Sequence, residues 1–306
     1  MLHELPNIQQ RLGIIKAMDS LLDARQKSYR GRLAPSPTGL LHTGHARTFF
    51  TAFLRARDAG GTLVLRNEDL DTQRSRAELV AAMIEDLHWL GIRWQEGPDV
   101  GGPYSPYTQS ERRDHYLTAW RALLERGWIY PCKCSRKDLA RVASAPHEGA
   151  EDDDEGPMYP GTCRPETPAA IQKYNAPAGV NWRFRVPDGQ AIEFHDQHFG
   201  QQSFVAGRDF GDFLIWRRDD LPSYQLACVV DDAAMHITEV VRGADLLKST
   251  ARQLLLYEAL GLAPPLWYHC PLVTDEHGQR LAKHSDSLSI RALREQGKNP
   301  QDLLRA

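Results

Sequence analysis

PSPTGLLHTGHARTFF, from Pro35 to Phe50, decides how the fold is read. The preceding YRGRLAPSP has the character of a short strand stopped by prolines. From Gly44 the chain reads as a helix through RTFFTAFLRARDA, ending at Gly60 and Gly61. TLVLRNEDLD then reads as a strand closing on a charged tip, and SRAELVAAMIEDLHWLG as a second helix with apolar residues at helical spacing. Strand, helix, strand, helix predicts a parallel sheet with crossover helices, an α/β fold of the Rossmann type, doubly wound. Ligands of such sheets bind at the carboxyl ends of strands, beside helix N-termini. The turn from Pro35 to His45 stands at that place.

Outward from this unit the pattern changes. Residues 1–28 read as an extension, with Leu12, Ile15, Met18, Leu21 and Leu22 at amphipathic spacing. Residues 29–129 read as the first half of the Rossmann-type domain. Residues 130–222 read as a mostly β insertion, with strands in NWRFRV, QAIEFHD and DFLIWRR and an acidic loop, PHEGAEDDDEGP. Residues 223–263 return to α/β character, and 264–306 form a short C-terminal segment. Arg136, Lys137, Arg217 and Arg218, in or near the insertion, are candidates for contact with an RNA partner; solvated charge is the ordinary reading of each.

The totals suit a globular chain of 306 residues, 42% hydrophobic and 25% charged. A net charge of −3 argues against coating nucleic acid by bulk attraction and leaves room for a local basic groove. No apolar run approaches the roughly 20 residues that span a bilayer, and MLHELPNIQQ lacks the pattern of a signal peptide. Five scattered cysteines suit a reducing compartment. The expectation is a cytoplasmic protein, monomeric, with no membrane partner.

His42 and His45 lie three residues apart on the first turn of a helix, so they share a face. An ordinary turn residue and a surface imidazole would give the same letters. A helix N-terminus, however, offers unpaired N–H groups to an anion, and two imidazoles there can donate to a phosphate that gains charge. Gly39 and Gly44 would let a nucleotide approach the backbone. Near the C-terminus VTDEHGQRLAKHSDS gathers Arg280, Lys283 and His284 after a turn. In the insertion, Cys132, Cys134 and Cys163 favour tetrahedral zinc over buried structural cysteines. Tyr159 is an unusual fourth ligand, and His147 is the alternative.

His42-Thr43-Gly44-His45 and Leu281-Ala282-Lys283-His284-Ser285 resemble the HIGH and KMSKS signatures of class I aminoacyl-tRNA synthetases. Arg280 and Ala282 stand where the second signature has a lysine and a serine. GRLAPSPTG, LRNEDLD and VVRGADLL extend the resemblance, over most of residues 29 to 290, to the glutamyl-tRNA synthetase family. The resemblance implies that ATP, carried with Mg²⁺, activates glutamate. His42, His45 and Lys283 would be catalytic, with Gly44 beside them at the nucleotide. Arg32, Leu33, Ala34, Pro35, Ser36, Glu68, Tyr224 and Arg242 would line the glutamate site. There Arg32 and Arg242 suit carboxylates and Glu68 suits the ammonium. Outside the resemblance, surface ion pairs would explain Arg32, Glu68 and Arg242, and a core position would explain Tyr224.

C-x-C followed by Y-x-x-x-C resembles the zinc site of one branch, the glutamyl-Q tRNA(Asp) synthetases. It implies one structural zinc on Cys132, Cys134, Tyr159 and Cys163. The chain ends about 20 residues beyond Lys283, so the expectation is a synthetase without an anticodon-binding domain. The branch activates glutamate without tRNA and transfers it to queuosine in the anticodon stem-loop of tRNA(Asp). Alternatives are a truncated enzyme charging the 3′ end of tRNA(Glu), a glutamate-adenylating ligase with a non-RNA acceptor, and a non-catalytic zinc-stabilised RNA-binding module.

Overall fold

The computed structural model describes residues 29–135, 138, 158–166, 174–272 and 289–305. β1 (Arg30–Leu33), α1 (Thr43–Asp58) and β2 (Thr62–Leu65) make the first crossover. The strands pair in parallel, Arg30 opposite Thr62 through Leu33 opposite Leu65. α1 stops where Gly60 turns left-handed at φ +59°, so that the Gly60 N–H reaches Arg57 O at 3.0 Å and the Gly61 N–H reaches Ala56 O at 2.8 Å. A side chain on Gly61 would strike the carbonyl oxygen of Tyr29 at 2.5 Å, so β2 can begin this close to β1 only with glycine there. α1 buries Ala46, Ala52 and Ala56, small residues that let it lie close to the sheet. Its far end is fixed by Arg55, which forks onto Glu239 at 2.6 and 2.7 Å, while Tyr29 donates to the same carboxylate at 2.8 Å.

α2 (Ala77–Trp89) packs Met83 and Leu87 into a core with Leu33, Leu63, Leu65, Val241 and Ile290. After α3 (Arg113–Glu125) come β3 (Ile129–Cys132), β4 (Asn181–Phe184), β5 (Ala191–Asp196), β6 (Gly200–Val205) and β7 (Phe213–Trp216). α4 (Tyr224–Ala234), β8 (Glu239–Gly243), α5 (Leu247–Leu260) and β9 (Leu266–Cys270) follow. Two short helices, α6 (Ile290–Glu295) and α7 (Pro300–Arg305), close the described chain.

β8 and β9 pair in parallel, Glu239 opposite Leu266 through Gly243 opposite Cys270. The Thr238 N–H donates to Arg30 O at 2.9 Å and sets β8 beside β1. The result is an α/β structure with a parallel sheet, as expected. The stretch 130–222 divides between two sheets. β3, β4 and β7 form an antiparallel sheet in that order, while β5 and β6 form a hairpin whose Asp196 pairs in parallel with Trp267 of β9. One core runs from Trp120 of α3 through Trp182, Phe184 and Trp216 to Leu226 of α4 and Leu255 of α5. Among the described residues no helix is long and apolar enough to cross a membrane. The expected N-terminal amphipathic helix, the acidic loop with His147, Arg136, Lys137 and Lys283 lie outside the described residues.

Candidate active site

Pro35 and Glu68 leave the carboxyl ends of β1 and β2 together, the Glu68 N–H donating to Pro35 O at 3.1 Å. Leu33, Ala34, Pro35 and Ser36 carry the chain out from a buried strand to an exposed serine. His42 caps α1 in an extended conformation, φ −118° and ψ 172°. Its ring stacks on that of His45 with centroids 3.7 Å apart. The His42 N–H donates to His45 Nδ1 at 3.4 Å, which leaves Nε2 as the proton-bearing nitrogen of that ring. A Cβ on Gly44 would stand 3.2 Å from His42 Cε1 and 3.3 Å from Nδ1, so the glycine makes room for the imidazole itself; at Gly39 a Cβ would meet nothing within 4 Å. Ser289 bridges His42 antiparallel, and the Ile290 N–H donates to Leu41 O at 2.8 Å. The chain beyond the segment that holds Lys283 therefore returns to the start of α1.

Behind this turn lies a buried charge cluster. The fully buried Arg66 donates to Asp232 at 2.6 Å and to Glu68 at 2.9 Å, with Asp231 at 3.9 Å. Arg32 donates to Val241 O at 2.9 Å and lies 3.5 Å from Asp232; its Nε has no hydrogen-bond partner among the described residues. Asp231 is held by Arg112 at 2.7 Å, by Gln109 at 2.8 Å and by Tyr116 at 2.8 Å. Cys228 points its thiol at Glu68, 3.6 Å away. Burial pushes the Glu68 carboxyl above its ordinary value, outweighing the attraction of Arg66 and Arg32. Arg66 stays charged despite burial because Asp232, Glu68 and Asp231 surround it.

Arg242 on β8 is 4% exposed and makes three side-chain hydrogen bonds. Nε donates to His269 Nε2 at 3.2 Å, Nη1 to Gln253 at 2.9 Å and Nη2 to Thr250 at 2.6 Å. His269 is fully buried, and its Nδ1 lies 2.6 Å from Asp196. Burial and the Arg242 charge lower the His269 pKa to about 4, so the ring is neutral near pH 7. Tyr224 is 37% exposed, on the same side as Arg32, Glu68, Cys228 and Arg242, which act on its hydroxyl electrostatically.

Cys132, Cys134 and Cys163 bring their sulfurs within 4.8 Å of one another. Cys134 lies 3.6 Å from Cys163, and the Tyr159 hydroxyl lies 3.4 Å from Cys132 and 3.8 Å from Cys134. A tetrahedral zinc with bonds of roughly 2.3 Å to sulfur has edges of about 3.8 Å, so these spacings suit it. Arg183 donates to the Cys132 sulfur at 3.4 Å and places its guanidinium 3.8 Å from the centre of the Tyr159 ring, offsetting anionic ligands. Burial raises the Cys134 thiol to about 11. At Cys163 burial also acts upward, but hydrogen bonds from Tyr159 and the Lys133 backbone prevail and bring it to about 7.

The structure thus brings Arg32, Glu68, Tyr224 and Arg242 into one neighbourhood from four segments, and groups Cys132, Cys134, Tyr159 and Cys163. The ordinary readings are reversed: the three charged residues are buried and the tyrosine is partly exposed. Arg217 is engaged by Asp219, and Arg218 is exposed. Sequence reasoning missed Arg66, Asp196, Asp231, Asp232 and His269. The adjacent aspartates inside the apolar helix SYQLACVVDDAA were a usable signal, because buried carboxylates require cationic partners. Nothing in the sequence marks Asp196 and His269 as neighbours.

Comparisons with known proteins give the family. The family model described as class I tRNA synthetases (E and Q), catalytic domain, matches residues 28–306. The glutamyl-Q tRNA(Asp) synthetase of Nitratidesulfovibrio vulgaris is 49% identical over 269 residues, covering 88% of this chain and 82% of its own. That of Symbiobacterium thermophilum is 48% identical over 275 residues, covering 90% and 84%. A glutamate tRNA ligase from Elizabethkingia meningosepticum, solved in complex with its amino acid, superposes with a TM-score of 0.71 at 31% identity over 88% of this chain and 53% of that one.

Proposed function

Because this chain belongs to the class I (E and Q) tRNA synthetases, we propose that it activates glutamate with ATP, without needing tRNA, and transfers the glutamyl group to queuosine in the anticodon of tRNA(Asp). The observation that carries the glutamate assignment is the buried guanidinium of Arg242, whose charge reaches the Tyr224 hydroxyl together with those of Arg32 and Glu68. An amino acid with two carboxylates and one ammonium matches that balance of charge.

In the first step a substrate α-carboxylate oxygen attacks the α-phosphorus of ATP, and pyrophosphate leaves. Glu68 accepts the ammonium, Arg242 takes the side-chain carboxylate, and Arg32 with Ser36 steadies the α-carboxylate at the mouth of β1. The N–H groups of α1, the His42–His45 stack and Lys283 stabilise the charge growing on the phosphate. Gly44 keeps the His42 ring in register with them. Mg²⁺ carried with ATP would offset part of the triphosphate's charge and needs no dedicated cage of protein ligands. In the second step a hydroxyl of the queuosine cyclopentene ring attacks the acyl carbon, and AMP leaves. The modified base must be splayed from its loop to reach this depth, as single-stranded RNA recognition commonly requires.

On this reading residues 29–129 and 223–263 are the halves of a doubly wound catalytic domain. Residues 130–222 are the insertion, and 264–306 carry the Lys283 loop. Cys132, Cys134, Tyr159 and Cys163 would hold a zinc ion whose chemistry there is structural, a cross-link between β3 and the chain before β4. The protein acts as a cytoplasmic monomer.

Two assays test this. Glutamate-dependent ATP–pyrophosphate exchange without tRNA is expected in the wild type, and Lys283→Ala should suppress it roughly 10²-fold or more. Labelled glutamate should then pass to tRNA(Asp) bearing queuosine and not to unmodified tRNA(Asp). Label on tRNA(Glu) would instead indicate 3′-end charging. A product that survives ribonuclease would indicate a non-RNA acceptor, and absence of exchange a binding module.

A further inference from the structure

Arg242 presents five N–H donors, and among the described residues three hydrogen bonds fix it: to His269, Gln253 and Thr250. Two donors remain on the terminal nitrogens, the number a carboxylate takes from a guanidinium fork. The fork is useful only if it cannot rotate, and its rotation is governed at Nε. There the partner is not a carboxylate but the Nε2 lone pair of His269. That nitrogen can accept only while the ring carries its proton on Nδ1. Asp196, 2.6 Å from Nδ1, imposes that tautomer, and is itself held by the N–H groups of His198 at 3.0 Å and Phe199 at 2.8 Å. Thr250 supports the same arrangement from the side, 3.1 Å from Nε2.

Resting on the glutamate assignment above, we propose that the pair Asp196–His269 positions Arg242, holding its fork toward the substrate's side-chain carboxylate and so selecting glutamate over glutamine. A neutral acceptor at Nε has a physical advantage over a carboxylate. It orients the guanidinium without neutralising it, so the full cationic charge stays available to the substrate. A carboxamide brings its own N–H₂ against that fork and is rejected.

The test is ATP–pyrophosphate exchange in the full chain, with KM for glutamate and for ATP measured separately and glutamine as the competing substrate. His269→Asn keeps a group facing Asp196 but loses the acceptor at Arg242. It should raise KM for glutamate roughly 10- to 100-fold and leave KM for ATP within about twofold, with poorer discrimination against glutamine. His269→Gln, whose longer chain carries an oxygen toward Nε, should recover most of the loss. Asp196→Asn, which turns the ring to the wrong tautomer, should resemble His269→Asn. Equal effects of Asn and Gln at 269, or parallel rises in both KM values, would overturn the proposal. If the 269 variants do not fold, Asp196→Asn decides alone: a higher KM for glutamate with an unchanged KM for ATP supports the proposal, and an unchanged KM for glutamate overturns it. Wild-type protein lacking glutamate-dependent exchange would refute the glutamate assignment instead, a separate outcome.

Discussion

Gly44 and Glu68 show how single residues would serve the proposed chemistry. A methyl group at 44 would crowd the His42 ring at 3.2 Å. Gly44→Ala should therefore lower kcat for exchange roughly 10-fold or more, while the helix gains up to about 1 kcal/mol from alanine. A thermal melt that does not fall, beside a turnover that does, is the expected pair of measurements. Glu68 is pushed upward by burial, so the empty site keeps its proton to a higher pH than an exposed glutamate does. Binding of the substrate ammonium favours the ionised form and releases that proton. KM for glutamate should then rise as pH falls, beginning above the usual carboxylate range, and Glu68→Gln should give a high, flat KM profile. The residue types at 32, 68, 224 and 242 were legible in the sequence, but their burial was not. Charged letters in strand tips read as solvated until Asp232, the carboxylate facing Arg32 and Arg66, is seen to arrive from α4.

At the scale of elements, helix and strand periods located β1, α1, β2, α2 and α5 well, because local patterning governs those segments. QAIEFHD read correctly as a strand, β5, but its pairing with β9 was not legible, since alternation fixes a strand's faces and not the sheet it joins. The joint between α2 and α6 was invisible in the sequence. Arg294 of α6 pairs with Glu85 at 2.9 Å and with Asp86 at 3.4 Å. Asp86 is fully buried, both its oxygens lack hydrogen bonds among the described residues, and burial raises its pKa to about 6. Because the folded value exceeds the unfolded one, Asp86 favours the fold below about pH 4, and that advantage is lost as pH rises to about 6. A rise from 3.8 to about 6 corresponds to roughly 3 kcal/mol at most, at 1.36 kcal/mol per pH unit. Relative to Asp86→Asn, the wild type should lose stability across that window in denaturant titrations. The joint bears on the site because Ser289 lies six positions beyond Lys283. An extended chain of that length reaches about 22 Å, so α6 and the His42–Ser289 bridge bound how far the lysine proposed for catalysis can stand from the start of α1.

Across the whole molecule, one continuous core joins the antiparallel sheet to α4 and α5. Removing the proposed zinc from the cysteine cluster should therefore lower a single melting transition by roughly 5 to 15 °C rather than split it in two. Calorimetry with a chelator, and with Cys134→Ser, measures this; two separated transitions would contradict it. The parallel pairing of Asp196 with Trp267 has a further consequence for protein engineering. A chimera that swaps residues 130–222 for the matching stretch of a homologue would exchange more than the antiparallel sheet of β3, β4 and β7. It would replace the carboxylate beneath His269, and a recipient lacking an acid there would be expected to misread its amino acid before any nucleic acid arrived.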